Sequence, residues 1–329
     1  MRNDTFRTVI QIQQQRQQMQ HKESIMCIGS CFADNMGEML ASHKFRTFSN
    51  PYGVLFNPVS IAGCIRNFLL QEPLDAPFFH NGIWQSFLFH GSFSHPNRDI
   101  CVQNMQKAQQ QAHDFAQTAK WLIISLGSNM VYREQTNGRI VANCHKMAAD
   151  TFKKEALSFS VMQKPLEEAL SLFKQMNQQL HCIITVSPIR YIKNNFEENS
   201  LGKAHLRLLS QYLCDNYSWI SYFPAFEIMT DDLRDYRFYQ PDKIHPSLEA
   251  VNYIWDCFSE TWFNEETRQL NHEIETIQKA FNHKPLFPQT EEWQHFCQQN
   301  LNAITSLQQL HPYLQLDRER AHFEVCKTE

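Results

Sequence analysis

Short apolar runs, each stopped by a turn residue, recur along the chain. Ile25-Met26-Cys27-Ile28 ends at Gly29, and a weaker alternating run, Phe45-Arg46-Thr47-Phe48, ends at Asn50-Pro51. Trp121-Leu122-Ile123-Ile124-Ser125-Leu126 precedes Gly127, Cys182-Ile183-Ile184-Thr185-Val186 precedes Ser187-Pro188, and Trp219-Ile220-Ser221-Tyr222-Phe223 precedes Pro224. Continuous runs of this length suit parallel strands covered on both faces. Helical patterns fall between them. Phe32, Met36, Met39 and Leu40 make one stripe, and Gln103 to Ala119, Met162 to Leu180 and Lys203 to Leu213 supply crossovers. Pro246 is expected in a first helical turn, with Leu248, Val251, Ile254, Trp255 and Phe258 as the buried face that follows. The alternation predicts a three-layer α/β/α fold around a parallel five-stranded sheet.

Two regions exceed that plan. Residues 54–120 are longer than a simple crossover and carry aromatic clusters, so an insertion near the sheet edge is expected there. From about residue 264 the pattern is one of helical pairs broken at Pro285-Leu286-Phe287-Pro288. The organisation read from this is a domain over 1–263 and a C-terminal helical extension over 264–329, which offers a surface for a homo-oligomer contact.

Composition narrows the chemistry. With 329 residues, 43% hydrophobic and 19% charged, the chain has the make-up of a soluble globular protein. A formal net charge of −4 leaves no basic stripe for nucleic acid. No apolar run approaches the ~20 residues of a membrane span, and the Gln- and Arg-rich stretch Met1 to Lys22 lacks the apolar core of a secretory signal. Ten cysteines without a Cys-x-x-Cys pair read as reduced thiols, which suggests a cytoplasmic protein, and no spacing suggests a metal site.

Glycine is scarce, with nine residues, and Gly29 and Gly127 each stand directly after a buried strand, where α/β sheets bind ligands. The first of these turns reads Gly29-Ser30-Cys31 and offers two nucleophiles at a helix start, where free N–H groups favour an oxyanion or thiolate. Asp242-Lys243-Ile244-His245, after the last strand, places a carboxylate where it can orient an imidazole base. Asn143-Cys144-His145-Lys146 suggests a substrate-lining loop or an alternative Cys–His pair, with a structural turn as the other reading. In Arg234-Asp235-Tyr236-Arg237-Phe238-Tyr239, Arg234 or Arg237 suits an anionic substrate group, and a loop that braces the catalytic one is the alternative.

These segments resemble the GSCFA family, whose name is the motif Gly29-Ser30-Cys31-Phe32-Ala33, within the wider SGNH (GDSL-like) hydrolases. The likeness runs from about residue 5 to residue 262. It takes in Asn50-Pro51-Tyr52-Gly53, Leu126-Gly127, Asn143 to Lys146, Leu233 to Tyr239, Asp242 and His245-Pro246-Ser247. The resemblance implies a flavodoxin-like fold and acyl-ester chemistry without a cofactor, on a small-molecule, carbohydrate or lipid acyl substrate. It implies that Asp242 and His245 are orienter and base, that Gly53 gives a backbone oxyanion donor, and that Asn129 gives a side-chain donor, with Asn50 and Asn143 as substitutes. Aligning Gly29 with the glycine of Gly-Asp-Ser puts Cys31 in the serine's place, and sliding by one residue puts Ser30 there; Cys31 is favoured. The alternative function is a ligand-binding module that keeps the fold without catalysis.

Overall fold

The computed structural model describes residues 7–328, which divide into two compact units. One takes the chain through Ile12, Ser24–Gly37 and Thr47–Phe258; the other takes Gln13–Glu23, Glu38–Arg46 and the chain from Ser259 on. The second unit is thus not one continuous stretch: its longest segment starts at Ser259, and two earlier segments join it.

In chain order the elements are β1 (Ile25–Gly29), α1 (Cys31–Ser42), β2 (Thr47–Ser49), α2 (Pro58–Leu70), β3 (Phe78–His80), β4 (Ile83–Gln85), α3 (Arg98–Thr118), β5 (Trp121–Leu126), β6 (Met130–Glu134), β7 (Ile140–Val141), β8 (Phe152–Ala156), α4 (Phe159–Met176), β9 (His181–Val186), α5 (Phe196–Asn216), β10 (Ile220–Tyr222), α6 (Ala225–Glu227), α7 (Leu248–Trp262), α8 (Glu265–Phe281), α9 (Glu291–Leu310) and α10 (Asp317–Thr328). The main sheet has five strands in the order β10-β9-β5-β1-β2, every pair parallel. Its members, counted in chain order from the β2 edge, run 2-1-3-4-5, the flavodoxin-like winding. All five runs picked out by hydrophobicity contribute a strand to it.

The apolar runs explain the sheet. Met26 and Ile28 of β1, Leu122, Ile124 and Leu126 of β5, and Cys182, Ile184 and Val186 of β9 are buried in one core. The same core takes Ile61, Ile65 and Phe68 of α2, Leu166 and Leu170 of α4, and Leu206 and Leu209 of α5. The intervening residues Ile25, Cys27, Ile123 and Ile183 are also fully buried, so both faces of the sheet are covered.

Residues 54–120, the long stretch between β2 and β5, contain several elements. They hold the crossover helix α2, the antiparallel hairpin β3–β4 and helix α3, and α2 packs on α4 over the central core. Asn57 caps α2, its Oδ1 accepting from Ser60 N–H at 2.8 Å, and Pro58 takes the first helical position. A second antiparallel sheet, β7-β6-β8, has short and partly exposed strands that alternation does not reveal. Pro246 is a correction. It forms an antiparallel bridge with Tyr239, and α7 begins only at Leu248, with Ser247 Oγ accepting from Ala250 N–H at 3.2 Å.

The C-terminal unit has its own core, built by Leu270, Ile274 and Ile277 of α8, Cys297 and Ile304 of α9, and Leu316 and Phe323. Asn264 and Thr290 cap α8 and α9. Within this unit Lys44 Nζ lies 2.6 Å from the buried Glu319 carboxylate, which also accepts from Gln278. No described helix is long and apolar enough to cross a membrane. The cysteines whose side chains are described are free thiols.

Candidate active site

The winding order reverses between β1 and β5, and ligands of such sheets bind beyond the carboxyl ends of the strands at that point. The Gly29-Ser30-Cys31 turn leaves β1 there. Gly29 has φ +142°, and a Cβ on it would stand 2.2 Å from the Ser125 carbonyl oxygen, so only glycine fits. Ser30 is fully buried. Its N–H donates to Ser125 O at 3.0 Å, its hydroxyl lies 2.9 Å from Ser125 Oγ, and that hydroxyl accepts from Phe32 N–H at 3.2 Å. The serine side chain thus joins β1 to β5 and caps the start of α1. Cys31, the first residue of α1, remains half-buried.

Asn50 braces the turn from β2. It is buried with φ +42°, its Oδ1 accepts from Gly29 N–H at 2.8 Å, and its Nδ2 donates to Asp34 Oδ1 at 2.6 Å. Gly53 N–H donates to Asn50 O at 2.7 Å, and His90 Cβ occupies the space where a side chain on Gly53 would go. Asp34 lies three residues along α1 from Cys31 and so shares its side of the helix. Burial pushes the Cys31 thiol above its ordinary 9.0, and the Asp34 carboxylate adds to the rise. The thiolate expected of a helix N-terminus is therefore opposed here by desolvation and a neighbouring anion. Asp34 itself is raised by burial, against the opposing Asn50 hydrogen bond and the nearby His90.

The Asp242–His245 pair is preformed. Asp242 Oδ2 lies 2.6 Å from His245 Nδ1, while Oδ1 accepts from the N–H groups of Ile244 (2.8 Å) and His245 (3.1 Å). The His245 hydrogen bond, followed by those two backbone donors, holds the Asp242 carboxyl down to about 2. This loop is closed on itself by Gln240 N–H to His245 O at 2.8 Å and by Ser247 N–H to Phe238 O at 2.7 Å. Both side chains are about two-fifths exposed. Among the described residues no hydrogen bond joins His245 to Cys31 or Ser30.

Other sequence-selected residues have partners of their own. Asn129 is buried, donates from Nδ2 to Leu157 O at 3.1 Å, and presses Oδ1 against Gly202 of α5. His145 Nε2 is 2.6 Å from Ser86 O, and burial lowers its basicity. Asn143 donates its backbone N–H to Phe87 O, and its buried Nδ2 has no hydrogen-bond partner among the described residues. Arg237 is exposed and pairs with Asp235 at 3.5 Å. Thus Ser30, Cys31, Asn50 and Gly53 come together at the turn, Asp242 and His245 meet in their own loop, and the contacts of Asn129, Asn143, His145 and Arg237 are with other segments. Among the described residues no three His, Cys, Asp or Glu side chains are grouped so as to hold a metal ion.

Lys203 of α5 is a residue that sequence reading passed over. It is buried, and its Nζ donates to Gly127 O at 2.8 Å and to Ser187 O at 2.7 Å, tying the exits of β5 and β9. The ammonium also lies 4.9 Å from the centre of the Tyr191 ring. Desolvation brings it down to about 7. Tyr191 Oη in turn packs on Gly127, where a Cβ would come within 2.5 Å of it. The one sequence signal for Lys203 was its place in the stripe it shares with Leu206, Ser210 and Leu213.

The chain is thus an α/β protein with flavodoxin-like winding, a half-buried cysteine at the switch point of its sheet and a preformed Asp–His pair. The chain belongs to the GSCFA family, which matches residues 24–258; residues 274–327 match the GSCFA domain protein, C-terminal domain. Comparison with curated proteins returns no match.

Proposed function

We propose that this protein transfers an acyl group from an ester or thioester through a thioester on Cys31. His245 takes the thiol proton, and the sulfur forms a bond to the carbonyl carbon as the carbonyl electron pair moves to oxygen. Collapse restores the carbonyl and expels the alcohol or thiol, which leaves with the proton held by His245. Water or a second acceptor then attacks the thioester, giving a hydrolase or an acyltransferase. Asp242 orients the imidazole and offsets its charge. The observation that carries the reading is the division of labour in the turn: Ser30 is bound between two strands, whereas Cys31 keeps an exposed side at the switch point. A relation to SGNH hydrolases, with cysteine standing for serine, is part of the same proposal. A small acyl substrate, no cofactor and a cytoplasmic setting accompany the proposal.

The test is acylation by p-nitrophenyl acetate, followed by intact mass and peptide mapping. Cys31→Ala is expected to abolish the adduct, and Ser30→Ala to retain it while losing about 1 kcal/mol of stability with its hydrogen bonds. An unchanged adduct in Cys31→Ala would refute the assignment. The second reading, a ligand-binding module, is favoured by the raised Cys31 thiol and by the lack of a bond to His245. It predicts no His245-dependent labelling of Cys31.

A further inference from the structure

Arg190 follows the carboxyl end of β9, in the segment Ser187-Pro188-Ile189-Arg190-Tyr191. Its backbone N–H donates to Ile244 O at 3.2 Å, and its Nη1 donates to Lys243 O at 3.1 Å. Lys243 and Ile244 are the two residues between Asp242 and His245, so one arginine grips the loop from both its main chain and its side chain. The guanidinium also lies over three rings, 5.1 Å from Phe196, 5.5 Å from Tyr236 and 5.3 Å from Tyr239. Two of these rings belong to the segment that leads into the same loop, and the third begins α5.

The loop needs such a hold. Lys243 has φ +59°, a conformation that side-chain-bearing residues disfavour and that persists where surrounding contacts impose it. Asp242 satisfies the N–H groups of Ile244 and His245 from inside the loop, and Arg190 satisfies two of its outward carbonyls. A planar, permanently charged guanidinium can donate to a carbonyl while its face lies on aromatic rings. Arg237, which the sequence singled out, is instead paired with its neighbour Asp235.

We infer that Arg190 is a positioning residue that fixes the Asp242–His245 loop to the β9 end of the site and thereby sets the direction of the imidazole. The inference rests on the acyl-transfer reading. It assigns Arg190 no contact with substrate, and its effect on the reaction runs entirely through His245.

The experiment measures the rate of Cys31 acylation by p-nitrophenyl acetate in wild type, Arg190→Met, Arg190→Lys, His245→Ala and the Arg190→Met/His245→Ala double variant. Methionine keeps an apolar stem on the rings, and thermal melting checks that each variant is folded. Arg190→Met is expected to slow acylation toward the His245→Ala rate, on the order of 10²-fold, the scale of a misplaced catalytic group. Arg190→Lys, which keeps a cation and a donor but not the planar stack, is expected to recover part of that loss. The double variant should be no slower than His245→Ala alone, because both changes remove the same contribution. A wild-type rate in Arg190→Met, or losses that multiply in the double variant, would overturn the inference while leaving Cys31 chemistry intact. An unchanged rate in His245→Ala would instead overturn the acyl-transfer reading and this inference with it.

Discussion

Gly29→Ala is expected to destabilise the protein by about 3–5 kcal/mol, read as a fall in the urea midpoint. Two causes add. A methyl group would lie 2.2 Å from Ser125 O and 2.9 Å from both Ser125 C and N, which are backbone atoms of a central strand and cannot rotate away. Overpacking of that kind costs roughly 1–3 kcal/mol or more, and the φ of +142° adds strain of a similar order. The damage is local to the site because relieving the clash means parting β1 from β5. Ser30 N–H to Ser125 O and the hydroxyl pair would lengthen with it, so Cys31 would lose its setting in molecules that remain folded. An unfolding free energy within 1 kcal/mol of wild type would show that the turn relaxes in a way its packing does not suggest.

His245→Ala is expected to slow acylation of Cys31 at pH 7 by about 10²–10⁴-fold, the usual contribution of a positioned base. Burial, with the Asp34 carboxylate beside it, raises the Cys31 thiol, so its thiolate is disfavoured without a base. The deficit should therefore shrink as pH rises, because hydroxide then supplies the thiolate that His245 would have generated. Rates measured from pH 6 to 10 check the sign: convergence of the two enzymes in alkali supports a base role, and a constant ratio argues against it. Asp242 sets no acid limit within that range, since its carboxyl stays ionised down to about 2.

The sheet was legible because four of its strands lie in compact apolar runs ending at a turn residue, and the weaker alternating run of β2 ends the same way. Helices α4 and α5 were legible for the complementary reason, a periodic stripe. The three-stranded antiparallel sheet was not, since Lys153 and Lys154 of β8 and Arg133 of β6 interrupt any alternation. Within residues 54–120 helix α2 was not picked out, although its Ile61, Cys64, Ile65 and Phe68 belong to the central core. At the site, the turn and the Asp-x-x-His pair are local in sequence and so were visible. Lys203 and Arg190 were not, because each acts on carbonyls far away in the chain, and a main-chain acceptor leaves no mark in residue identity. Asn129 shows the reverse limit: its position suggested an oxyanion donor, yet its amide is given to Leu157 O.

Lys203 also has a calorimetric signature. Its proton is held at about 7 in the native protein and near the ordinary 10.5 once the chain unfolds, so between those values the unfolded chain binds more protons. Stability from this group accordingly rises with pH across that window, the reverse of what a carboxylate-paired lysine would give. Unfolding at pH 8.5 should draw about one proton from the buffer at this position. The apparent unfolding enthalpy would then differ between phosphate and Tris by the heat those buffers release or absorb, and the difference should fall by that one-proton share in Lys203→Met. A single buried lysine at the exits of β5 and β9 is thus expected to make the protein's heat of unfolding depend on the ionisation heat of its buffer.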